Sequence, residues 1–145
     1  MIHLKFTITL PPKAQMRSRS RAVSTDDGKT FAMNYKAGKQ RKEERKLEAL
    51  LYEHRPAQPI EGQVWLGVKA YLPIPTSKPK KWKADAAEGL IRPTTKPDLD
   101  NLLKQITDCL TGIMWIDDKQ VVGYLPGTGK YYAENARWEV EVVSR

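Results

Sequence analysis

The chain has 145 residues, of which 40% are hydrophobic and 29% charged, and its formal net charge is +8. These values are ordinary for one soluble globular domain, here residues 1–145, and the positive charge makes nucleic acid a plausible partner. Cys109 is the lone cysteine and only His3 and His54 accompany it, which excludes an intrachain disulfide and a Cys/His zinc site. No apolar stretch approaches the roughly 18 residues of a membrane helix. Because the chain has a single cysteine, we expect a reducing, cytoplasmic setting.

The first third of the chain predicts a strand, a basic loop and a helix. Residues 2–10 alternate apolar and polar side chains, which is typical of a half-buried strand, and Pro11-Pro12 ends it. Residues 11–34 are expected to form a basic loop with a turn at Asp27-Gly28, and residues 35–54 are rich in good helix formers. Within the loop, arginines spaced by two residues are candidate contacts to the phosphates of a nucleic acid: Arg17, Arg19 and Arg21.

The middle of the chain combines a second strand with a basic insertion. Residues 60–72 have the pattern of a strand, and residues 76–96 carry lysines on both sides of Trp82 before a short alanine-rich helical turn. Basic side chains beside an aromatic ring can hold a nucleic-acid backbone and stack on an unpaired base. Packing of Trp82 onto its own domain is the alternative that we prefer. The candidate nucleic-acid contacts of this insertion are Lys80, Lys81, Trp82, Lys83 and Lys96.

The last third predicts a helix and two strands. Apolar residues recur at helical spacing over residues 101–111, and Gly112 suits the end of that helix. Residues 120–125 and 138–143 are strand candidates that we expect to pair as a hairpin or meander. Between them, residues 126–129 contain glycines but lack the lysine and the helix of a phosphate-binding loop. We therefore predict a turn there and no small-molecule cofactor.

An acidic segment follows in this basic chain. Asp98 and Asp100 lie two residues apart, which puts both carboxylates on one side of an extended segment, and Lys104 follows by one helical turn. Carboxylate oxygens suit Mg²⁺ or Mn²⁺, and such ions catalyse displacement at phosphorus. The structural alternative is that one aspartate caps the helix and that Lys104 pairs with it or with Asp108. The candidate metal ligands are Asp98, Asp100, Asp117 and Asp118.

These motifs resemble the RusA family of Holliday junction resolvases, which bacteria and their phages and prophages carry. The resemblance rests on Asp98-Leu99-Asp100-Asn101-Leu102-x-Lys104, Asp108-x-Leu110, Asp117-Asp118-x-Gln120-Val121-Val122 and the opening strand with Pro11-Pro12. It implies a symmetric homodimer that binds a four-way DNA junction and makes paired nicks in recombination and repair. The implied cofactor is Mg²⁺, with Mn²⁺ as a substitute.

The resemblance also implies roles for residues and a fold. Asp98, Asp100 and Asp118 match the metal-binding catalytic acids, with Asp117 as a supporting ligand. Lys104 matches the catalytic lysine, and Asn101 beside these residues is a further candidate DNA contact. The expected fold is α+β, with a small mixed sheet of about four strands and two main helices packed against it. The basic insertion and Pro97 depart from the family pattern. These two departures affect the expected DNA contacts and not the expected catalytic chemistry.

Two other functions are compatible with the same residues. A restriction-like nuclease of the PD-(D/E)xK type would use Pro97-Asp98 and Asp117-Asp118-Lys119, and it would depend on Lys119 where the resolvase depends on Lys104. A non-catalytic DNA-binding protein would use the aspartates only as caps and turn formers. The resolvase interpretation is preferred because it alone explains Asp100. It predicts hydrolysis that leaves 5′-phosphate and 3′-hydroxyl ends.

Overall fold

Three α-helices and seven strands form the described part of the chain. The computed structural model describes residues 1–13, 19–24, 30–35 and 38–145, with the backbone alone for 19–24, 30–35 and 38–41. None of these described helices has both the length and the apolar character of a membrane span. In chain order the elements are β1 (Ile2–Ile8), β2 (Arg19–Ser24), β3 (Thr30–Tyr35), α1 (Gly38–Tyr52), β4 (Val64–Pro73), α2 (Lys80–Ala87), α3 (Leu99–Leu110), β5 (Val121–Tyr124), β6 (Gly129–Ala133) and β7 (Arg137–Ser144).

The main sheet has five strands, with β4 in its interior. One edge of β4 pairs antiparallel with β7, and β7 pairs antiparallel with β1. The other edge of β4 pairs in parallel with β5 at residues 64–66 and with β6 at residues 69–73. Because β5 and β6 share this edge, they act together as one interrupted strand. The short strands β2 and β3 form a separate antiparallel sheet.

The core lies between one face of the main sheet and the helices α1 and α3. Along β4 every second residue is buried, beginning with Val64 and Leu66, as the two-residue period of a strand requires. On α3 the residues Leu102, Ile106 and Leu110 are each 0% exposed. Their spacing of four places them on one face of the helix, so α3 is fixed in the core and its polar face stays at the surface.

The predicted α+β class with a mixed sheet is confirmed, but the number of elements is larger than expected. The main sheet has five strands instead of about four, and α2 is a third helix inside the basic insertion. The loop predicted for residues 11–34 is wrong, because residues 19–24 form β2. Serine, arginine and alanine dominate β2, so it lacks the apolar alternation by which a strand is recognised. The predicted turn at Asp27-Gly28 lies outside the described residues.

The predicted pairing of the last two strands is also wrong. β4 lies between β5 and β7, so these two strands do not form a hairpin with each other. The additional strand β6 lies between them in sequence and pairs with the same edge of β4 as β5 does. Strand pairing over such sequence distances depends on the whole sheet, and a local hydrophobic pattern carries no information about it.

Candidate active site

Asp98 and Asp100 lie at the start of α3, but the prediction that both lie on one side of an extended segment is wrong, because the helix begins at Leu99 and already contains Asp100. Asp98 is the N-cap residue with an extended backbone (φ −68°, ψ 145°), and its side chain makes no capping hydrogen bond. The Asp98 carbonyl accepts a hydrogen bond from the Leu102 N–H at 3.1 Å, which ties the residue to the helix. Asp100 lies in the first turn and is exposed. Neither carboxylate shows the capping bond that the structural alternative requires.

Lys104 lies one turn beyond Asp100 on the same helix and is exposed. In the part of the chain that the structure describes, its ammonium forms no ion pair within 4.0 Å with Asp100 or Asp108. The ion pair proposed as the alternative function of Lys104 is therefore absent here. The Lys104 ammonium is therefore an exposed cation on α3, near the aspartates at the start of that helix, and it is accessible to an anionic group of a bound molecule.

Asp117 and Asp118 form an acidic turn before β5. The Asp117 carboxylate accepts a hydrogen bond from the Lys119 N–H at 3.0 Å and caps the 3₁₀ turn Asp118–Gln120. The backbone N–H of Lys119 lowers the pKa of the Asp117 carboxyl, helped by a hydrogen bond with Asp118. The same bond raises the pKa of the Asp118 carboxyl, and partial desolvation and the negative charges of Asp117 and Asp108 add to the rise. The Asp117 and Asp118 carboxyl groups are thus in contact, and a divalent cation bound to them would reduce the repulsion between their negative charges.

The side chain of Gln120 holds this acidic turn in place. Its Oε1 accepts hydrogen bonds from the N–H groups of Ile116 at 3.0 Å and Asp117 at 2.9 Å. Its Nε2 donates to the carbonyls of Ile60 at 2.7 Å and Gly62 at 2.9 Å. Gln120 therefore ties the turn to the segment that precedes β4. Sequence reasoning quoted Gln120 within a motif but assigned it no role.

The described residues contain no group of three or more His, Cys, Asp or Glu side chains close enough to enclose a metal ion. The predicted joint ligand set of Asp98, Asp100 and Asp118 therefore remains a prediction. The donor chemistry nevertheless fits Mg²⁺, which proteins commonly hold through one or two carboxylates while water and substrate phosphates fill the remaining positions. Asp117 and Asp118, which share a hydrogen bond, form such a pair before β5, and Asp98 and Asp100 supply two further carboxylates at the start of α3.

Between the basic insertion and α3, the chain is held by a residue that sequence reasoning missed. Lys130 on β6 donates hydrogen bonds to the carbonyls of Thr95 at 2.7 Å and Pro97 at 2.9 Å. These bonds reach the peptide directly before Asp98. A contact between residues more than 30 positions apart leaves no signal in local sequence patterns.

The lysines of the insertion lie on or beside α2. Trp82 is half-buried with its ring 5.4 Å from that of Tyr132, so the preferred prediction that it packs on its own domain is confirmed. Lys81 forms an ion pair with Asp85 at 3.6 Å. Lys80 and Lys83 line a groove of about 470 Å³ between α2 and the ends of β4 and β6.

The remaining predicted DNA contacts are only partly described. Arg17 lies outside the described residues, and of Arg19 and Arg21 the structure gives only the backbone of β2. Lys96 is exposed two residues before Asp98, and Asn101 is half-buried in the first part of α3. Lys96 and Asn101 flank Asp98 and Asp100, and their contact with DNA stays a prediction.

Comparison with known proteins covers nearly the whole chain. The family described as "Endodeoxyribonuclease RusA" matches residues 9–143. The protein named "Uncharacterized protein YqaN" of Bacillus subtilis (strain 168) is 40% identical over 141 residues, which are 96% of this chain and 94% of that protein. The family match includes both acidic places, the lysine of α3 and the basic insertion.

Proposed function

Because the chain belongs to the RusA endodeoxyribonuclease family, we propose that it is a nuclease that resolves Holliday junctions by paired, symmetric nicks. The observation that supports this most strongly is the family match over residues 9–143, a range that contains the acidic residues and Lys104. The proposed role is in DNA recombination and repair in the cytoplasm of a bacterium, and a prophage origin fits the family.

In the proposed mechanism, Asp98, Asp100 and Asp118 hold Mg²⁺, with Mn²⁺ as a substitute and Asp117 as a supporting ligand. The bound cation supplies Lewis-acid stabilisation of the charge that builds on the scissile phosphate. The Lys104 ammonium neutralises further charge on the same phosphate. A hydrogen bond with Asp117 and nearby negative charges raise the pKa of the Asp118 carboxyl, and a bound cation would oppose that rise. Hydrolysis leaves 5′-phosphate and 3′-hydroxyl ends.

The basic residues are proposed to hold the DNA backbone. Contacts between lysine or arginine and phosphate supply affinity that is independent of sequence and sensitive to salt. The groove lined by Lys80 and Lys83 and the exposed Lys96 beside Asp98 support this role. The proposed DNA contacts are Arg17, Arg19, Arg21, Lys80, Lys81, Lys83, Lys96 and Asn101. Trp82 is not among them, because its ring packs on Tyr132.

Resolution of a junction needs two cuts in opposing strands, whereas one chain carries one copy of each catalytic residue. A homodimer with two-fold symmetry would present two equivalent sites to a two-fold symmetric junction. We therefore propose a C2 homodimer as the active form.

The rival interpretations have less support. In the restriction-like scheme Lys119 is the essential cation, but Asp100 then has no role. In the non-catalytic scheme every aspartate is a cap or a turn former, which describes Asp117 well. It does not describe Asp98, whose side chain makes no capping bond.

The substitution Asp100→Asn tests the proposed chemistry. It should lower the rate of junction nicking by at least about a hundredfold, because loss of such a group usually costs about 3 kcal/mol or more in barrier. Junction binding should persist, since removal of an anion beside DNA reduces repulsion. Rates from single-turnover cleavage and dissociation constants from gel shift in Ca²⁺ measure both effects.

Asp85→Asn is the matched control, because Asp85 lies on α2 and pairs with Lys81. It should leave the nicking rate close to that of the unmodified protein. If Asp100→Asn nicks junctions as fast as this control, the assignment of the site is wrong.

A further inference from the structure

The chain between α2 and α3 ends at a proposed metal ligand and lies against β6. Residues 92–98 contain no helix or strand, so contacts from elsewhere must define their course. The Lys130 ammonium supplies two such contacts, to the carbonyls of Thr95 and Pro97 at 2.7 and 2.9 Å. Hydrogen bonds from a charged donor are among the stronger ones in proteins. Lys130 thus clamps the two carbonyls that bracket Lys96-Pro97.

The start of this segment, Arg92, also contacts β6. The Arg92 Nε donates to the Lys130 carbonyl at 2.8 Å, and the Arg92 guanidinium lies 3.9 Å from the ring centre of Tyr131. A Cβ atom at Gly129 would come within 2.3 Å of the Arg92 Nη2, so the glycine leaves the space in which the guanidinium lies. Gly129, Lys130 and Tyr131 together form a cradle, which we call the β6 cradle.

The bond to Pro97 has a direct consequence for Asp98. A peptide group is planar, so the Pro97 carbonyl oxygen lies in one plane with the Asp98 nitrogen and Cα. When Lys130 binds that oxygen, it fixes the orientation of the peptide plane that contains the Asp98 Cα, the atom to which the side chain is attached. On the other side, the Asp98 carbonyl is tied to the Leu102 N–H of α3. Asp98 is therefore held from both directions, by the β6 cradle and by the helix.

We propose that Lys130 is a positioning residue for metal binding: it sets the direction of the Asp98 carboxylate through the Thr95 and Pro97 carbonyls. This inference rests on the proposed function, in which Asp98 is a metal ligand. Residues that orient a ligand from outside the metal site typically change metal affinity by about 10 to 100-fold when they are replaced. Lys130 acts through the backbone of Asp98 and needs no contact with the DNA.

The test measures metal binding apart from activity. Mn²⁺ is titrated into the purified protein, and the free ion is followed by electron paramagnetic resonance. Lys130→Met removes both hydrogen bonds with little change in side-chain length and should weaken Mn²⁺ binding by about tenfold or more. Lys130→Gln keeps a polar group at the same place and should weaken binding in the same direction but less.

Lys69→Met is the matched control. Lys69 lies on β4 directly opposite Gly129 and also approaches the Tyr131 ring, at 5.7 Å, but its side chain does not hold residues 95–97. The control removes the same charge from the same region and should leave the Mn²⁺ affinity unchanged. Circular dichroism during thermal unfolding shows which variants fold.

The outcomes separate the inference from the function on which it rests. Asp98→Asn serves as the reference for a lost ligand. If Asp98→Asn weakens Mn²⁺ binding but a folded Lys130→Met or Lys130→Gln binds as the Lys69→Met control does, the positioning role of Lys130 is refuted. If Asp98→Asn itself binds Mn²⁺ as tightly as the unmodified protein, the proposed metal site fails, and the inference fails with it.

Discussion

Single residues decide how the acidic places are built. Gln120 uses both ends of its amide to tie the acidic turn to the backbone near β4, and Lys130 holds the peptide before Asp98. Asp98 and Asp100 were placed near the helix start from sequence because that start has a local signature, but Asp100 lies within the helix and not on an extended segment with Asp98. Lys130 received no role because its partners are distant in sequence. Gln120 has two distant partners, but it also forms a capping box with Asp117, which is a local pattern that sequence reasoning missed. Local patterns thus predict the candidate ligands, and the fold supplies the residues that orient them.

The two lysines of the competing nuclease schemes make a prediction at this scale. Lys104→Gln should lower the nicking rate by about a hundredfold or more, because the variant lacks a cation that faces the charge of the transition state. Lys119→Gln should nick at nearly the unmodified rate, since in the proposed scheme Lys119 contributes only its backbone N–H to Asp117. Single-turnover cleavage of a labelled junction gives both rates. The opposite ranking would support the restriction-like scheme.

Among the elements, α3 is the one on which the candidate site depends. Its amphipathic pattern predicted residues 101–111, and the helix runs from Leu99 to Leu110. The helix therefore begins two residues earlier than predicted. Asp98 is its N-cap residue, with an extended backbone and no side-chain capping hydrogen bond. The hairpin proposed for β5 and β7 failed for a different reason: the intervening partner β4 comes from a distant part of the sequence. Periodicity identifies an element, and the sheet as a whole decides its neighbours.

Anchoring of α3 in the core can be measured by substitution. Ile106 is 0% exposed, and Ile106→Ala should lower the free energy of unfolding by about 2–5 kcal/mol through lost burial and a residual cavity. Leu90, at 73% exposure, is the matched control, and Leu90→Ala should change stability by no more than about 0.5 kcal/mol. Urea unfolding followed by tryptophan fluorescence gives both values. Equal effects of the two substitutions would show that α3 is not held as described.

For the whole molecule, a net positive charge is combined with two local pairs of aspartates. The net charge of +8 favours a polyanion over the surface as a whole, and Lys80 and Lys83 line a groove beside α2 together with Glu134. Two aspartates lie at the start of α3 and two before β5, and other exposed acids are spread over the surface, among them Glu48, Glu61 and Glu134. Carboxylates beside a DNA backbone oppose binding unless a cation neutralises them. This arrangement is therefore better suited to a metal-dependent nuclease than to a protein that only binds DNA.

The most direct measurement is cleavage of a synthetic four-way junction, with each strand end-labelled in turn and the products separated on a denaturing gel. The account predicts two nicks at symmetry-related positions in opposing strands with Mg²⁺, none with EDTA, and none in a linear duplex of the same sequence. Equal cutting of the linear duplex, or an intact junction after incubation with Mg²⁺, would contradict it.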